Sequence, residues 1–373
     1  MLASGVAAGV ATVLARTLSA GPQPEPPAGG VADGLSRGGA AVNAPEPVPT
    51  APAVAAGDLP AAPAVAPAVA DGPLPKVIVL NSRDASVSLI EQATFTEAGR
   101  IDVGKEPHHL YPTPDGRQLI VASAASDELH FLDPVTGAVQ SRLRGVDDPY
   151  QLAFSPDRRW FVTAALRLDR VDVYAFDGKE KHLARRIPLP KMPSHLWFAD
   201  DSRHAFVTLQ GSDEIAAVDV VDQRLLWKMP VGKQPAGIIL SPDEQHLFVG
   251  IMGEDYVQVI DWRERRTVAK IRTGAGAHNF RGMGDRRRLL VSNRVVGSVS
   301  TIDMGGLKLL DSVKVGGGPD CMDLGADGRT LWVTSRWAKS VAIVDLEDRK
   351  LVRTIPVGRS PHGIYLHNRA ATI

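Results

Sequence analysis

A proline recurs along this chain every 42 residues or so, and that period constrains the fold more than any other feature. Pro107, Pro149, Pro193, Pro235, Pro319 and Pro361 stand 42, 44, 42, 84 and 42 residues apart, and Ala277 fills the slot that the 84-residue gap skips. The same succession follows each anchor. A short first strand, such as His109-Leu110-Tyr111 or Gly237-Ile238-Ile239-Leu240, leads into a turn such as Thr113-Pro114-Asp115-Gly116 or Ser241-Pro242-Asp243-Glu244. Proline presets φ and Asp and Gly accept the angles that such turns need. The second strand is β-branched or aromatic, as in Phe161-Val162-Thr163-Ala164 and Trp332-Val333-Thr334-Ser335. A third ends at an aspartate (Asp133, Asp219, Asp261, Asp303, Asp345), and a fourth returns through runs such as Thr354-Ile355-Pro356-Val357-Gly358. Four short strands in roughly 40–45 residues is the pattern of a propeller blade, whereas a helical solenoid would show 3.6-residue periodicity.

Six complete repeats run from Lys105 to Gly358. The ends supply the parts of a seventh. Residues 359–366 offer only an innermost strand, and residues 76–104 offer the other three without a first. The span 76–366 holds 291 residues, and 291/42 is 6.9. The expectation is an all-β, seven-bladed β-propeller of four-stranded blades over 76–373. Its ring is closed by the C-terminal strand joining the N-terminal blade, which leaves no free sheet edge.

The first 75 residues cannot belong to that ring, since they hold no aromatic residue and 13 of the 28 prolines. Leu2 to Ala15 is an unbroken run of apolar and small residues, too short to span a bilayer as a helix but matching the apolar region of a secretory signal. Residues 1–20 are therefore read as a signal peptide or an apolar tail. Residues 21–75 read as a Pro/Ala-rich disordered linker in which proline blocks helix and sheet. This places the protein in the periplasm or outside the cell, as a monomer with no transmembrane domain when mature.

The strand-two quartets, the Ser-Pro-Asp turns and the closing Pro356-Val357-Gly358 with Pro361-His362-Gly363-Ile364 resemble the YVTN-type β-propeller repeat family. The resemblance spans 76–366, although the namesake tetrapeptide occurs in no blade and Phe161-Val162-Thr163-Ala164 is close to it. It implies a seven-bladed propeller related to exported propellers, surface-layer repeats, cytochrome d1-like domains and lactonase-like propellers. A likeness of fold does not choose among these functions.

Repeats permit a comparison of equivalent slots within one sequence. The residue after each anchor is His108, Tyr150, Ser194, Ala236, His278, Asp320 or His362, and the next is His109, Gln151, His195, Gly237, Asn279, Cys321 or Gly363. With ten histidines in 373 residues, these fourteen slots would hold about 0.4 by chance, and they hold five. His278, Asp320, His362 and His108 come from four consecutive blades. Arg294 and Arg336, three residues past the central valine of strand two, fall in the blades that supply His278 and Asp320, with Trp337, Asn81 and Asn293 nearby in sequence. One arc of the channel mouth is expected to gather His108, His278, His362, Asp320, Arg294 and Arg336, with His109 and His195 alongside as ligand-binding residues.

Two chemistries fit that arc. Imidazoles and a carboxylate at His108, His278, Asp320 and His362 suit a divalent metal, which can polarise a substrate or activate water. Arginine and histidine also suit an anion such as a carboxylate, a phosphate or the propionate of a tetrapyrrole. The expected function is an exported binding or scaffolding protein whose ligand, a small anion or another protein, sits at the channel mouth. The alternatives are a metal-assisted lactonase or lyase, a tetrapyrrole-dependent oxidoreductase, and a protein-interaction ring with no small ligand.

Other features are set aside. Forty-two basic residues balance 42 acidic ones, which removes the general electrostatic case for nucleic acid. A lone cysteine, Cys321, precludes an internal disulfide and covalent haem attachment, and reads as a buried small residue. The aspartates that close strand three recur too regularly to be anything but turn elements.

Overall fold

The computed structural model describes residues 75–176 and 180–372. The expected signal or tail (1–20) and all but the end of the expected linker (21–75) lie outside the described residues. Among the described residues, 28 strands form seven four-stranded antiparallel sheets. Each sheet consists of four consecutive strands except one, in which Pro361–Tyr365 pairs with Val77–Asn81. That pairing (Ile78 opposite Tyr365, Val79 opposite Ile364) closes the ring. Counting this sheet as blade 1, blades 2 to 7 follow in chain order, with innermost strands beginning at Pro107, Pro149, Pro193, Pro235, Ala277 and Pro319.

Apolar side chains hold the blades face to face. Seven buried clusters each draw on two adjacent blades, such as Phe206 and Ile215 of blade 4 with Val249 and Ile260 of blade 5. Cys321, Trp332 and Ile343 of blade 7 join Val77, Val79 and Ile364 of blade 1 in the same way. The aspartates after strand three cap tight turns: Asp133 accepts the backbone N–H groups of Val135 and Thr136, and Asp345 those of Glu347 and Asp348. Two short 3-10 turns, Ala124–Ser126 and Leu166–Leu168, occur after strand two of blades 2 and 3.

The anchor is a repeated backbone device. The residue before it is left-handed in all seven blades, with φ of 52° at Glu106, 44° at Asp148, 59° at Met192, 51° at Gln234, 86° at Gly276, 69° at Gly318 and 55° at Ser360. In six blades that residue's carbonyl accepts an N–H from the loop after strand two, as in Arg294 to Gly276 (2.8 Å) and Arg336 to Gly318 (2.9 Å). A bulge follows at once. In blade 4 Pro193 pairs with Leu209 and Leu196 with Val207, so two residues, Ser194 and His195, oppose only Thr208. The same shift occurs after Pro107, Pro235, Ala277 and Pro319. A bulge of this kind re-aims side chains, and both slot residues line the axis of the ring.

Candidate functional site

The five slot histidines gather in one buried cluster on the axis. Ring centroids of His108 and His362 lie 4.7 Å apart, His109 and His362 4.7 Å, His109 and His195 5.1 Å, and His195 and His278 5.3 Å. Tyr150 closes the circle 4.5 Å from His108 and 5.5 Å from His109. The expectation set these groups at the mouth of the channel. They lie inside it instead, with His195, His278, His362 and Asp320 at 1% exposure or less, turned inward from the innermost strands of six blades. His109, beside His108 on blade 2, lies within the expected four-blade arc, and His195 of blade 4 completes the cluster from outside it.

Asp320 organises one side. Its Oδ2 accepts Arg294 Nη2 at 2.7 Å and lies 3.5 Å from Arg336 Nη1, while its Oδ1 lies 3.1 Å from His278 Nδ1 and 3.5 Å from His362 Nε2. The His278 contact is ionic in range but off the line of a hydrogen bond. Arg294 also donates to His278 Nε2 at 2.7 Å. A guanidinium only donates, so that nitrogen is the lone-pair atom and His278 carries its hydrogen on Nδ1, towards the carboxylate. The backbone staple at Gly276 explains why a loop residue sixteen positions away reaches the ring of its own blade. The neighbouring candidates have other partners. Asn81 and Asn293 turn into their blades, donating to Ser88 (2.8 Å) and Ser300 (2.9 Å), and Trp337 stands 57% exposed.

Burial sets the protonation states. It pushes all five imidazoles down, His109 to about 3, His278 to about 4 and His108, His195 and His362 well below the usual histidine range. Burial acts the other way on Asp320, but Arg294, His362 and His278 outweigh it and hold the carboxyl well below the usual range. Burial also raises Tyr150 to about 12 and the Cys321 thiol well above its ordinary value. The cluster is thus one carboxylate between two guanidiniums, surrounded by neutral rings.

Several of those rings are incompletely satisfied. His108 Nδ1, His109 Nε2, His195 Nε2 and His362 Nε2 are buried and make no hydrogen bond within the protein. His362 donates its Nδ1 hydrogen to the His108 carbonyl at 2.8 Å, which leaves Nε2 as the lone-pair atom of a neutral ring. That lone pair faces Asp320 Oδ1, two electron-rich atoms side by side. One ligand atom from each of His109, Cys321 and His362 lies within 4.8 Å of the other two. The three residues fit a metal ion, whereas the expected quartet of His108, His278, Asp320 and His362 has two members engaged with Arg294.

A chamber of about 180 Å³ adjoins this cluster, and the second-slot residues of all seven blades line it: His109, Gln151, His195, Gly237, Asn279, Cys321 and Gly363. Gly237 is required, since a Cβ there would stand 2.4 Å from the His278 carbonyl oxygen. The chamber shares His109, Gln151 and Trp197 with a funnel of about 600 Å³ reaching the turns between strands one and two, at Pro114, Pro156 and Pro242. Thr372 touches both spaces. It is carried there by a C-terminal strap whose Ala370 and Ala371 carbonyls accept Arg281 at 2.6 and 2.9 Å, and Arg281 pairs with buried Asp323 at 3.0 Å. Sequence reasoning found the slots but missed the strap, Arg281 and Asp323, which have no counterparts in the other blades.

The comparisons with known proteins agree with the architecture. The family described as YNCE-like beta-propeller matches residues 47–372, and the chain belongs to it. An uncharacterised protein of Staphylococcus epidermidis is 24% identical over 132 residues, 31% of this chain and 39% of that relative's length. Among solved structures, a functionally unknown protein from Desulfotomaculum acetoxidans aligns with a TM-score of 0.67 at 14% identity, over 80% of this chain and all of that one. The dihydro-heme d1 dehydrogenase NirN, solved in complex with DHE, aligns with a TM-score of 0.62 at 14% identity over 82% and 78%. Hydrazine synthase of Kuenenia stuttgartiensis gives 0.59 at 20% identity over 69% and 88%. At these identities the structures share the fold. No helix among the described residues is long and apolar enough to cross a membrane.

Proposed function

We propose that this YNCE-like β-propeller is an exported binding protein whose ligand is a metal cation held on the imidazoles of its channel. One observation supports the reading: five buried histidine nitrogens, one on each ring of the cluster, have no hydrogen-bond partner within the protein. Buried polar atoms are nearly always satisfied, so a cluster of orphans signals a missing partner. An anion fits less well. Arg294 is already committed to Asp320 and His278, and His362, neutral with its hydrogen on Nδ1, presents a lone pair at Nε2. Neutral imidazole is the ordinary nitrogen ligand of Zn, Cu and Ni.

The test is equilibrium dialysis of chelator-stripped protein against Zn(II), Ni(II) and copper separately, with elemental analysis of the retained metal. One ion per chain, reduced at least tenfold in affinity by His362→Gln, supports the reading. Retention of phosphate or acetate with no metal overturns it. Export is tested on cells of the source organism by fractionation and by sequencing the amino terminus of the mature chain, and an uncleaved cytosolic product overturns that part.

The funnel supports a second reading. Its 600 Å³ falls in the size range of cofactor sites, it carries Phe154 and Trp197, and it meets the cluster at His109. A tetrapyrrole seated there would make the protein a relative in function as well as fold of the haem d1 enzyme. Addition of hemin as a probe, with a shifted absorption band lost on His109→Gln, distinguishes this reading from bare metal binding.

A further inference from the structure

The donor set nearest to a complete ligand shell differs from the one that the slot comparison picks out. His109, His362 and Cys321 come from the innermost strands of three blades, 2, 1 and 7, and bring two imidazoles and a thiol within 4.8 Å of one another. Metal–ligand bonds of about 2.0–2.3 Å set the donors of a three-coordinate ion about 3.5–4.0 Å apart. Side-chain movements of about 1 Å therefore close the set.

The surroundings are built to hold these three groups. The Thr334 hydroxyl accepts the Cys321 N–H at 3.0 Å and donates to the His362 carbonyl at 2.7 Å, so one side chain braces two of the three donors across the junction of blades 7 and 1. His362 is oriented by its Nδ1 bond to the His108 carbonyl (2.8 Å), and Asn279 Nδ2 donates to Cys321 Sγ at 3.1 Å. An oriented second ring nitrogen and a hydrogen bond to the sulfur are the outer contacts that metal ligands ordinarily carry. His109 Nε2 and His362 Nε2 are among the buried atoms without a partner.

We propose that His109, His362 and Cys321 form a mononuclear copper site on the propeller axis, reached through the chamber. The proposal rests on the reading that the channel takes a metal cation, and adds which residues hold it and which metal they prefer. Two imidazoles with one thiolate is the ligand combination of trigonal copper centres, and because open zinc sites also take three protein ligands, it is the softness of the donors that separates the two metals. Asp320 Oδ1 stands 3.5 Å from His362 Nε2 and 4.0 Å from Cys321 Sγ, but its carboxylate is held by Arg294 at 2.7 Å. Thiolate softness favours Cu(I), and copper outranks zinc for a given nitrogen and sulfur set. Binding replaces the thiol proton: Cys321 S–H and Cu(I) give the S–Cu bond, and the proton leaves to solvent.

The experiment uses the full chain, stripped of metal and titrated anaerobically with Cu(I) and separately with Zn(II), each against a competing chelator. The expected result is one Cu(I) per chain, held on the order of 100-fold more tightly than Zn(II). Oxidation of the loaded protein with ferricyanide should produce an intense visible thiolate-to-Cu(II) absorption. Cys321→Ser, near-isosteric and checked for an unchanged melting curve, should abolish that band and weaken Cu(I) at least tenfold. His109→Gln, on a different blade, should weaken Cu(I) similarly. Tight binding of Zn(II) or Cu(I) that neither substitution alters would overturn this site while leaving a metal-binding channel in place. Failure to retain any metal would overturn both.

Discussion

Five neutral imidazoles packed against one another make the stability of the metal-free propeller steeply dependent on pH. The rings sit 4.7–6.2 Å from their neighbours and are buried, so they cannot all accept protons while the fold is intact. Burial holds His278 down to about 4 and His109 to about 3, with His108, His195 and His362 well below the usual range. In the unfolded chain the same rings titrate near about 6.5. The unfolded state therefore binds more protons throughout the interval from about 6.5 down to about 4, and stability falls as pH falls through it. Above about 6.5 the contribution is fully present.

Each such histidine costs about 1.4 kcal/mol for every pH unit below the unfolded value. Five together remove about 7 kcal/mol between pH 8 and pH 5.5, comparable with the entire stability of an ordinary domain, about 5–15 kcal/mol. The assay is urea unfolding of chelator-treated protein at half-unit steps across that range, followed by tryptophan fluorescence. The double variant His109→Gln/His195→Gln removes two of the five titrating rings and should lose only about 4 kcal/mol over the same interval. Surface carboxylates titrate alike in both proteins and cancel in the difference. Equal pH slopes for the two proteins would refute the claim that these rings are neutral when folded.

Three further outcomes follow from the geometry. Asp320→Asn leaves the Arg294 guanidinium without its carboxylate in a site that is almost closed, and should cost about 3–5 kcal/mol in denaturant unfolding. Gly237→Ala forces a Cβ against the His278 carbonyl and should lower stability by about 1–3 kcal/mol, with the melting temperature as readout. Deleting residues 367–373 removes the strap that ends at Thr372, so the rate at which a thiol reagent modifies Cys321 in the folded protein should rise at least tenfold. An unchanged rate would mean that the strap does not limit access to the chamber.

The ring, its blade count and its closure were readable in the sequence because each depends on a pattern repeated around the circle. A proline, a turn and an alternating strand recur whether or not a blade carries function. The proximity of Arg294 to His278 was readable for the same reason, since the staple from the loop to the anchor carbonyl is part of the repeat. Depth was not readable. Whether a slot faces the mouth or the axis depends on a bulge, one extra residue in a strand pair, and a bulge leaves no mark in composition or periodicity.

The contacts that sequence reasoning did not foresee share a physical property: they lie between blades rather than within one. Cys321 alone in the composition reads as a small buried residue, and it does pack beside Trp332 and Ile364. Its relation to His362 and His109 exists only because ring closure sets the last strand of the chain between blades 7 and 2. Arg281 and Asp323, 42 residues apart and thus in equivalent positions of adjacent blades, form a pair that the period could have flagged. No other blade repeats that pair, and in this one Arg281 also holds the Ala370 and Ala371 carbonyls. A slot that departs from the repeat where two neighbouring blades depart together is therefore the stronger sign of function. By that measure the junction of blades 7, 1 and 2, where Cys321, His362 and His109 depart in succession, is the place in this ring that the scaffold alone does not account for.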